Sequence, residues 1–527
     1  MKKIFLILLT FILFPCAAKA VIEKQDIGDI NPETSGVTHS NQISIPVDLW
    51  KGLSHKQVVQ LIKGLPSRFQ TPFWANIQIA LLTTPMKIPE GVSDDKDNIL
   101  NLRFEKLMEM EAFDPAYNLG KQHPDQLNQD AWAWCRLMRF IIHNNYDKAF
   151  KIAQENAVKD LHNKWQYAVI VLQILKGKKN EAKFSLALLE KENEKQDQPF
   201  IKAIKKILGN KTVEIGTGLE KPLIMKLLLS KKDVPEKIQV EALSFGMIDL
   251  MINDPGFESF SDRMQLSILE YYVEQDHTKA EVLKKKYIQG APEDRLEEFL
   301  KKLEDNEDVD ENDPLSRALL YKVFKEAEDE EIQKKAFYAY YMNAYKHKIL
   351  PVAAACFGVD YNFPASREDA HYAVAFLLHN VMLNNPSYVQ AWMGDLNEDE
   401  LSELALLILL SFDADTLSKR TLETLQNTLV YSKQDPAHTF LYQQKLKFIP
   451  NYRGYALKLQ DHRLLDVIGG HYGFGEAMQI ILKAAGPIAE TDVWQSAVLV
   501  RALDAIGLKN QANQLVRFYA YSTPKGD

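Results

Sequence analysis

Residues 111–120, EAFDPAYNLG, 144–153, NNYDKAFKIA, and 177–186, GKKNEAKFSL, decide the fold. Each is a turn, then an acidic or amide residue, then a buried-type alanine, and Ala116, Ala149 and Ala182 follow one another at intervals of 33. Trp132 and Trp165, ahead of successive turns, keep the same interval. A period of this length belongs to a helix pair whose apolar face is covered only by its neighbours, so that units stack. The alanine falls where the second helix must approach the first closely, a place a larger side chain would block.

Away from this stretch, apolar residues keep three- and four-residue spacing from about Ile43 to the end, and strand-like alternation is almost absent. In SHKQVVQLIKGL, Ser54 and Gln57 have the spacing of a capping box ahead of Val58, Val59, Leu61 and Ile62. KTVEIGTGLEKP (211–222) reads equally as a pair of short strands or a long loop.

The turn and second-helix start in NNYDKAF resemble those of a tetratricopeptide repeat, whose period is about 34 residues. The pattern is clearest over 99–197, and DAIGLKNQANQLV carries a further copy in which Gly507 and Ala512 match Gly177 and Ala182. It departs from the family at Phe104, Leu137 and Ile170, which replace the small residue that the family has midway along the first helix, and lacks the closing proline near 128, 161 and 194. The layout also resembles a group of uncharacterised exported helical-repeat proteins of Gram-negative bacteria, a resemblance that supports the fold and carries no activity. The resulting expectation is an all-α chain of roughly 25–30 helices, with TPR-like hairpins stacked into an α-solenoid in two arrays.

Residues 1–20, MKKIFLILLTFILFPCAAKA, have two lysines, an apolar run from Ile4 to Phe14 and small residues at positions −3 and −1 of a cut after Ala20, the features of a secretory signal peptide. Residues 21–42 read as a flexible leader, 43–303 as an N-terminal repeat array, 304–314 (EDNEDVDENDP) as an acidic hinge and 315–527 as a second array. The signal directs the chain to the periplasm. No later segment has the length and apolarity of a membrane span, so no membrane insertion is expected after cleavage.

The 527 residues carry 63 Lys plus Arg against 71 Asp plus Glu, a net charge of −8 that argues against nucleic acid or an anionic membrane surface as the partner. Cys135 and Cys356, each in an apolar stretch, read as buried thiols, with one long-range disulfide as the alternative. Asp308, Asp310 and Asn312 alternate as in an EF-hand loop, but Asp313 takes the glycine position and Leu319 the bidentate-acid position, leaving a solvated linker. GGHYGFG (469–475) lacks a preceding strand and a following Lys-Ser/Thr, and reads as an interhelical turn and not a phosphate loop. The adjoining GEAMQII resembles an element of soluble lytic transglycosylases, yet no glutamate between Glu423 and Glu476 is present to act as the acid such enzymes require.

No metal, cofactor or catalytic set is expected from local motifs. Trp134 and Tyr167, 33 residues apart, share a phase of successive first helices. They are either interhelical core or a two-ring ladder in a partner groove. The sequence therefore points to a scaffold or adaptor for a protein partner, in envelope assembly or as a motility accessory. The alternative is a secreted α/α-barrel carbohydrate-active enzyme, whose carboxylates, scattered along the chain, leave no local motif.

Overall fold

The computed structural model describes residues 31–37, 43–69, 72–89, 98–158, 163–192, 198–209, 222–232, 243–275, 279–305, 312–412, 417–431, 459–485 and 493–522, apart from single positions within these ranges, with a few residues between 234 and 240. The signal-peptide reading, the strand-or-loop stretch and Asp308 and Asp310 lie outside the described residues. Among those described there are twenty-five α-helices and no strand. None is long and apolar enough to cross a membrane.

In chain order the first eight are α1 (His55–Lys63), α2 (Pro72–Thr83), α3 (Ile99–Glu109), α4 (Phe113–Gly120), α5 (Gln129–Ile142), α6 (Tyr146–Ala157), α7 (Asn163–Leu175) and α8 (Lys179–Glu192). Then come α9 (Gln198–Leu208), α10 (Pro222–Lys231), α11 (Phe245–Ile252), α12 (Asp262–Gln275), α13 (Ala280–Gly290), α14 (Leu296–Glu304), α15 (Pro314–Glu326), α16 (Glu330–Lys346), α17 (Leu350–Phe357) and α18 (Ala373–Met382). The last seven are α19 (Pro386–Trp392), α20 (Glu398–Ser411), α21 (Lys419–Tyr431), α22 (Leu459–Ile468), α23 (Phe474–Ala484), α24 (Val493–Ala505) and α25 (Lys509–Ser522). Consecutive helices pack on one another along most of the chain, in the manner of a helical repeat.

One turn geometry recurs between these helices. Glu111, Asn144 and Gly177 have φ of 56°, 58° and 77°, and each ends the first helix of a pair with the double hydrogen bond of a Schellman motif. At Asn144, for example, its own N–H reaches the Ile141 carbonyl at 3.1 Å and the next N–H reaches that of Phe140 at 2.8 Å. The same pairing recurs at Asn384, Gly470 and Gly507, making six such turns among the described residues. Five residues after each αL residue comes a buried contact: Ala116, Ala149, Ala182, Val389, Gly475 and Ala512. Three of the six turn residues have a Cβ, two of them asparagine, the side chain that best tolerates this conformation.

Two apolar clusters form the core, and their division does not follow the acidic stretch. One runs from Phe113 to Leu425 without a break at 304–314, because α13 packs directly on α15. A buried polar set crosses the same point. Arg317 on α15 donates to both carboxylate oxygens of Glu270 on α12 at 2.7 and 2.8 Å, Tyr287 donates to Glu270 at 2.7 Å, and the Tyr287 and Tyr340 hydroxyls lie 2.9 Å apart. Asp313, at the end of the acidic stretch, caps α15 through the Leu315 N–H and pairs with Arg263. Phe337, Tyr340 and Tyr341 of α16 all point inward and are fully buried.

The second cluster joins residues 45–135 to residues 464–515. The last helices thus pack on the first: α23 lies on α1, while α25 lies on α20 and ties the same group to the middle of the chain. At this joint the Gly475 N–H donates to the Leu49 carbonyl at 2.8 Å, and Gln479 Nε2 donates to that of Leu61 at 2.9 Å. Gly475 and Gln479, both in the stretch that resembles a transglycosylase element, thus hydrogen-bond the two ends of the chain together.

Part of the stretch read as a leader is packed. Arg103, buried in α3, donates to the carbonyls of Leu82, Thr84, Glu33 and Ser35 at 2.6–3.3 Å, clamping residues 31–37 against the end of α2. Glu33 Oε1 accepts from the Ile99 N–H at 2.8 Å and lies 3.2 Å from His55 Nε2. Burial lowers the Arg103 guanidinium to about 10, with the Glu33 charge opposing the shift.

Candidate functional site

A set of titratable side chains stands where the α5–α6 turn meets α4, α11 and α12. Asp114, in the first turn of α4, accepts from Arg139 Nε at 2.9 Å and lies 3.6 Å from His143 Nε2. The Arg139 guanidinium lies 4.0 Å from the centre of the Tyr117 ring, which fixes its plane. Asp249 on α11 accepts from the Tyr272 hydroxyl of α12 at 3.3 Å. Burial, and after it the Asp114 charge, raises Asp249 to about 6, against the opposing effects of Tyr272, Lys279 and His143. Asp249 can therefore hold a proton at mildly acidic pH beside a carboxylate paired to arginine.

The next residues form a second, drier group. Lys226 of α10 and Asp254 are paired with side-chain exposures of 0% and 3%, and Lys226 also donates to Asn144 Oδ1. Asn144 accepts as well from the Tyr146 hydroxyl at 2.8 Å and donates to the Asn253 carbonyl at 3.1 Å, so its αL turn is bound from both sides. Burial pulls Lys226 below its ordinary value, with Asp254 opposing. An open cavity of about 480 Å³ beside this turn is lined by residues 143–147 with Leu175 and Lys176.

Trp134, half-buried on α5, meets Trp165 edge-on with centroids 5.2 Å apart and has Lys164 Nζ 5.6 Å from its ring centre. Tyr167 on α7 is 8% exposed and stacks on Phe200 of α9 at 4.0 Å. The 33-residue phase thus continues to a third ring, Phe200, and each of the two named residues packs onto an aromatic ring further along the chain. Neither belongs to the Asp114–Asp249 group.

Both described cysteines are free and buried. Burial raises both thiols, so neither is a nucleophile at neutral pH. Among the described residues no group of three or more His, Cys, Asp or Glu is arranged to hold a metal ion. Nothing in the sequence pairs Asp114 with Asp249, since 135 positions separate them and no motif marks either. The one signal was His143, a polar ring ending an apolar helix.

No family model, curated protein or solved structure matches the chain.

Proposed function

We propose that the chain is a non-enzymatic periplasmic scaffold or adaptor, a TPR-like α-solenoid that binds a protein partner in envelope assembly or as a motility accessory. The observation that carries this reading is the sixfold recurrence of one helix-pair turn, with neighbouring pairs packed in sequence. Arrays of this kind present extended surfaces assembled from equivalent positions of successive units, and their common use is the capture of other polypeptides. Crosslinking in living cells from a tagged copy, followed by identification of what co-purifies, tests it. One stoichiometric protein partner supports the reading; empty capture with glycan fragments retained on the purified protein overturns it.

A carbohydrate-active enzyme of α/α-barrel form is the second reading. It is favoured by the unequal carboxylates of Asp114 and Asp249 and by the contact between first and last helices. Against it, that contact is filled by the apolar side chains of Trp50, Leu49 and Ala477. Release of reducing ends from cell-wall glycan by wild-type protein, abolished in Asp249→Ala, would establish the enzyme.

A further inference from the structure

In α4, α6 and α8 the buried alanine is followed by two residues whose order changes along the chain. The pairs are Tyr117-Asn118, Phe150-Lys151 and Lys183-Phe184. In the first two units the aromatic comes first and is used within the array: Tyr117 stacks on Trp132 at 5.4 Å, and Phe150 lies 5.2 Å from Lys176 Nζ. In α8 the order is reversed. One residue is about 100° of helical turn, so the ring is carried outward, and Phe184 is 68% exposed. One turn further on, where the earlier units have Gln122 and Glu155, α8 has Leu188, 45% exposed. Among the described residues no other helix exposes two large apolar side chains a turn apart.

Around this pair the exposed lysines outnumber the acids that no lysine pairs with. Lys183 and Lys191 flank it and are exposed, and neither has an acid partner among the described residues. Two of the three acids of the helix are already taken, Glu181 by Lys178 at 3.0 Å and Glu190 by Lys205 of α9, and the third, Glu192, is its last residue. Lys202 and Lys206 are exposed on α9, the next helix, in a chain whose net charge is −8.

We propose that the outer face of α8 is a docking site for an acidic amphipathic helix of a partner protein, with apolar side chains a turn apart seated on Phe184 and Leu188 and flanking carboxylates on Lys183 and Lys191. This rests on the scaffold reading and names the chemistry of its partner. Helix-on-helix recognition uses anchors at this spacing, and complementary charge supplies orientation and encounter rate. Two side chains are a narrow apolar strip, suited to a helix; an anchor in a bilayer needs a broad apolar face along several turns.

The test uses the whole folded chain and three probes: a fluorescent helical peptide with leucines on one face flanked by glutamates, the same peptide with lysines for glutamates, and vesicles of phosphatidylglycerol in phosphatidylcholine. The glutamate peptide should bind at least about tenfold more tightly than the lysine peptide. Phe184→Ser, and separately the pair Lys183→Glu and Lys191→Glu, should each weaken it about tenfold or more while leaving the circular-dichroism melt unchanged. Equal binding of the two peptides, or indifference to both variants, overturns the proposal. So does vesicle binding that needs Phe184 without peptide binding.

In cells, a photo-crosslinking phenylalanine placed at position 184 should capture an acidic segment with apolar residues three or four apart. Capture only from a control position such as Lys419 removes the α8 site and leaves the scaffold reading intact. Capture from no position removes both.

Discussion

Gly475→Ala tests the contact between the two ends of the chain, and its sign separates local from tertiary reasoning. Gly475 is the second residue of α23, where replacing glycine by alanine should stabilise a helix by up to about 1 kcal/mol. The surroundings reverse that expectation. A Cβ at this position would lie 2.2 and 2.3 Å from Cε3 and Cζ3 of Trp50 and 2.8 Å from the Leu49 carbonyl oxygen. Trp50 has little room to retreat, since it is 4% exposed and its indole N–H is engaged by Met86 Sδ at 2.9 Å. Overpacking costs about 1–3 kcal/mol, and contacts this short against a buried ring fall in the upper part, about 2–3 kcal/mol, which leaves a net loss of about 1–2 kcal/mol after the helical gain. Hydrogen–deuterium exchange reads this locally. Amides of α1 and α23 should exchange roughly 5–30-fold faster, with those of α15–α18 unchanged. Gly394→Ala, where a Cβ meets nothing within 4 Å, should have no effect. If Gly475→Ala exchanges no faster in α1 and α23, or accelerates exchange evenly throughout, the two ends do not meet as described.

Burial raises the Asp249 carboxyl to about 6 from the ordinary aspartate value of 3.8, so the native state holds its proton more tightly than the unfolded chain. Its contribution is whole below about pH 4 and is lost as pH rises through 6. Asp249→Asn, which keeps an acceptor for Tyr272, should therefore stabilise the protein at pH 8 by about 1–2 kcal/mol and flatten the pH 4–7 slope in urea titrations. No change at pH 8 would refute this. Thiol titration of the chain lacking residues 1–20 should find no reactive cysteine when native and two when unfolded without reductant; none in the unfolded protein would reveal a disulfide instead. Arg103→Met strips three buried carbonyls and one half-buried one of their donor and should cost about 3–5 kcal/mol, with earlier proteolysis within 31–37. Unaltered proteolysis would mean that the segment is held by something other than the guanidinium. Tyr167→Ala should cost about 3–5 kcal/mol as the loss of a buried stacked ring. A loss of partner capture at unchanged stability would assign it to a groove.

The parts of this fold that could be read in sequence are those fixed within one helix pair. The αL turn and the alanine five residues later are local, so 111, 144, 177 and 507 stand out by spacing alone. The turns at 384 and 470 use the same hydrogen bonds but have Val389 and Gly475 in the alanine position, and no residue-type comparison finds them. Gly475 differs for a reason seen only in three dimensions: that position faces Trp50, 425 residues earlier in the chain. Helices α10 and α18 carry apolar residues on every side because they are covered on every side, and such helices lose the periodicity from which a face is inferred. The candidate site was hidden for a related reason. Asp114 has the ordinary look of a first-turn acid, and Asp249 becomes unusual only when α11 folds back onto α5 and brings it near Asp114 and His143. Phe184 is the reverse case. Its one-position shift against Phe150 is plain in the sequence, but a shifted aromatic acquires meaning only when the equivalent rings of α4 and α6 are seen to be occupied and this one is seen to face water.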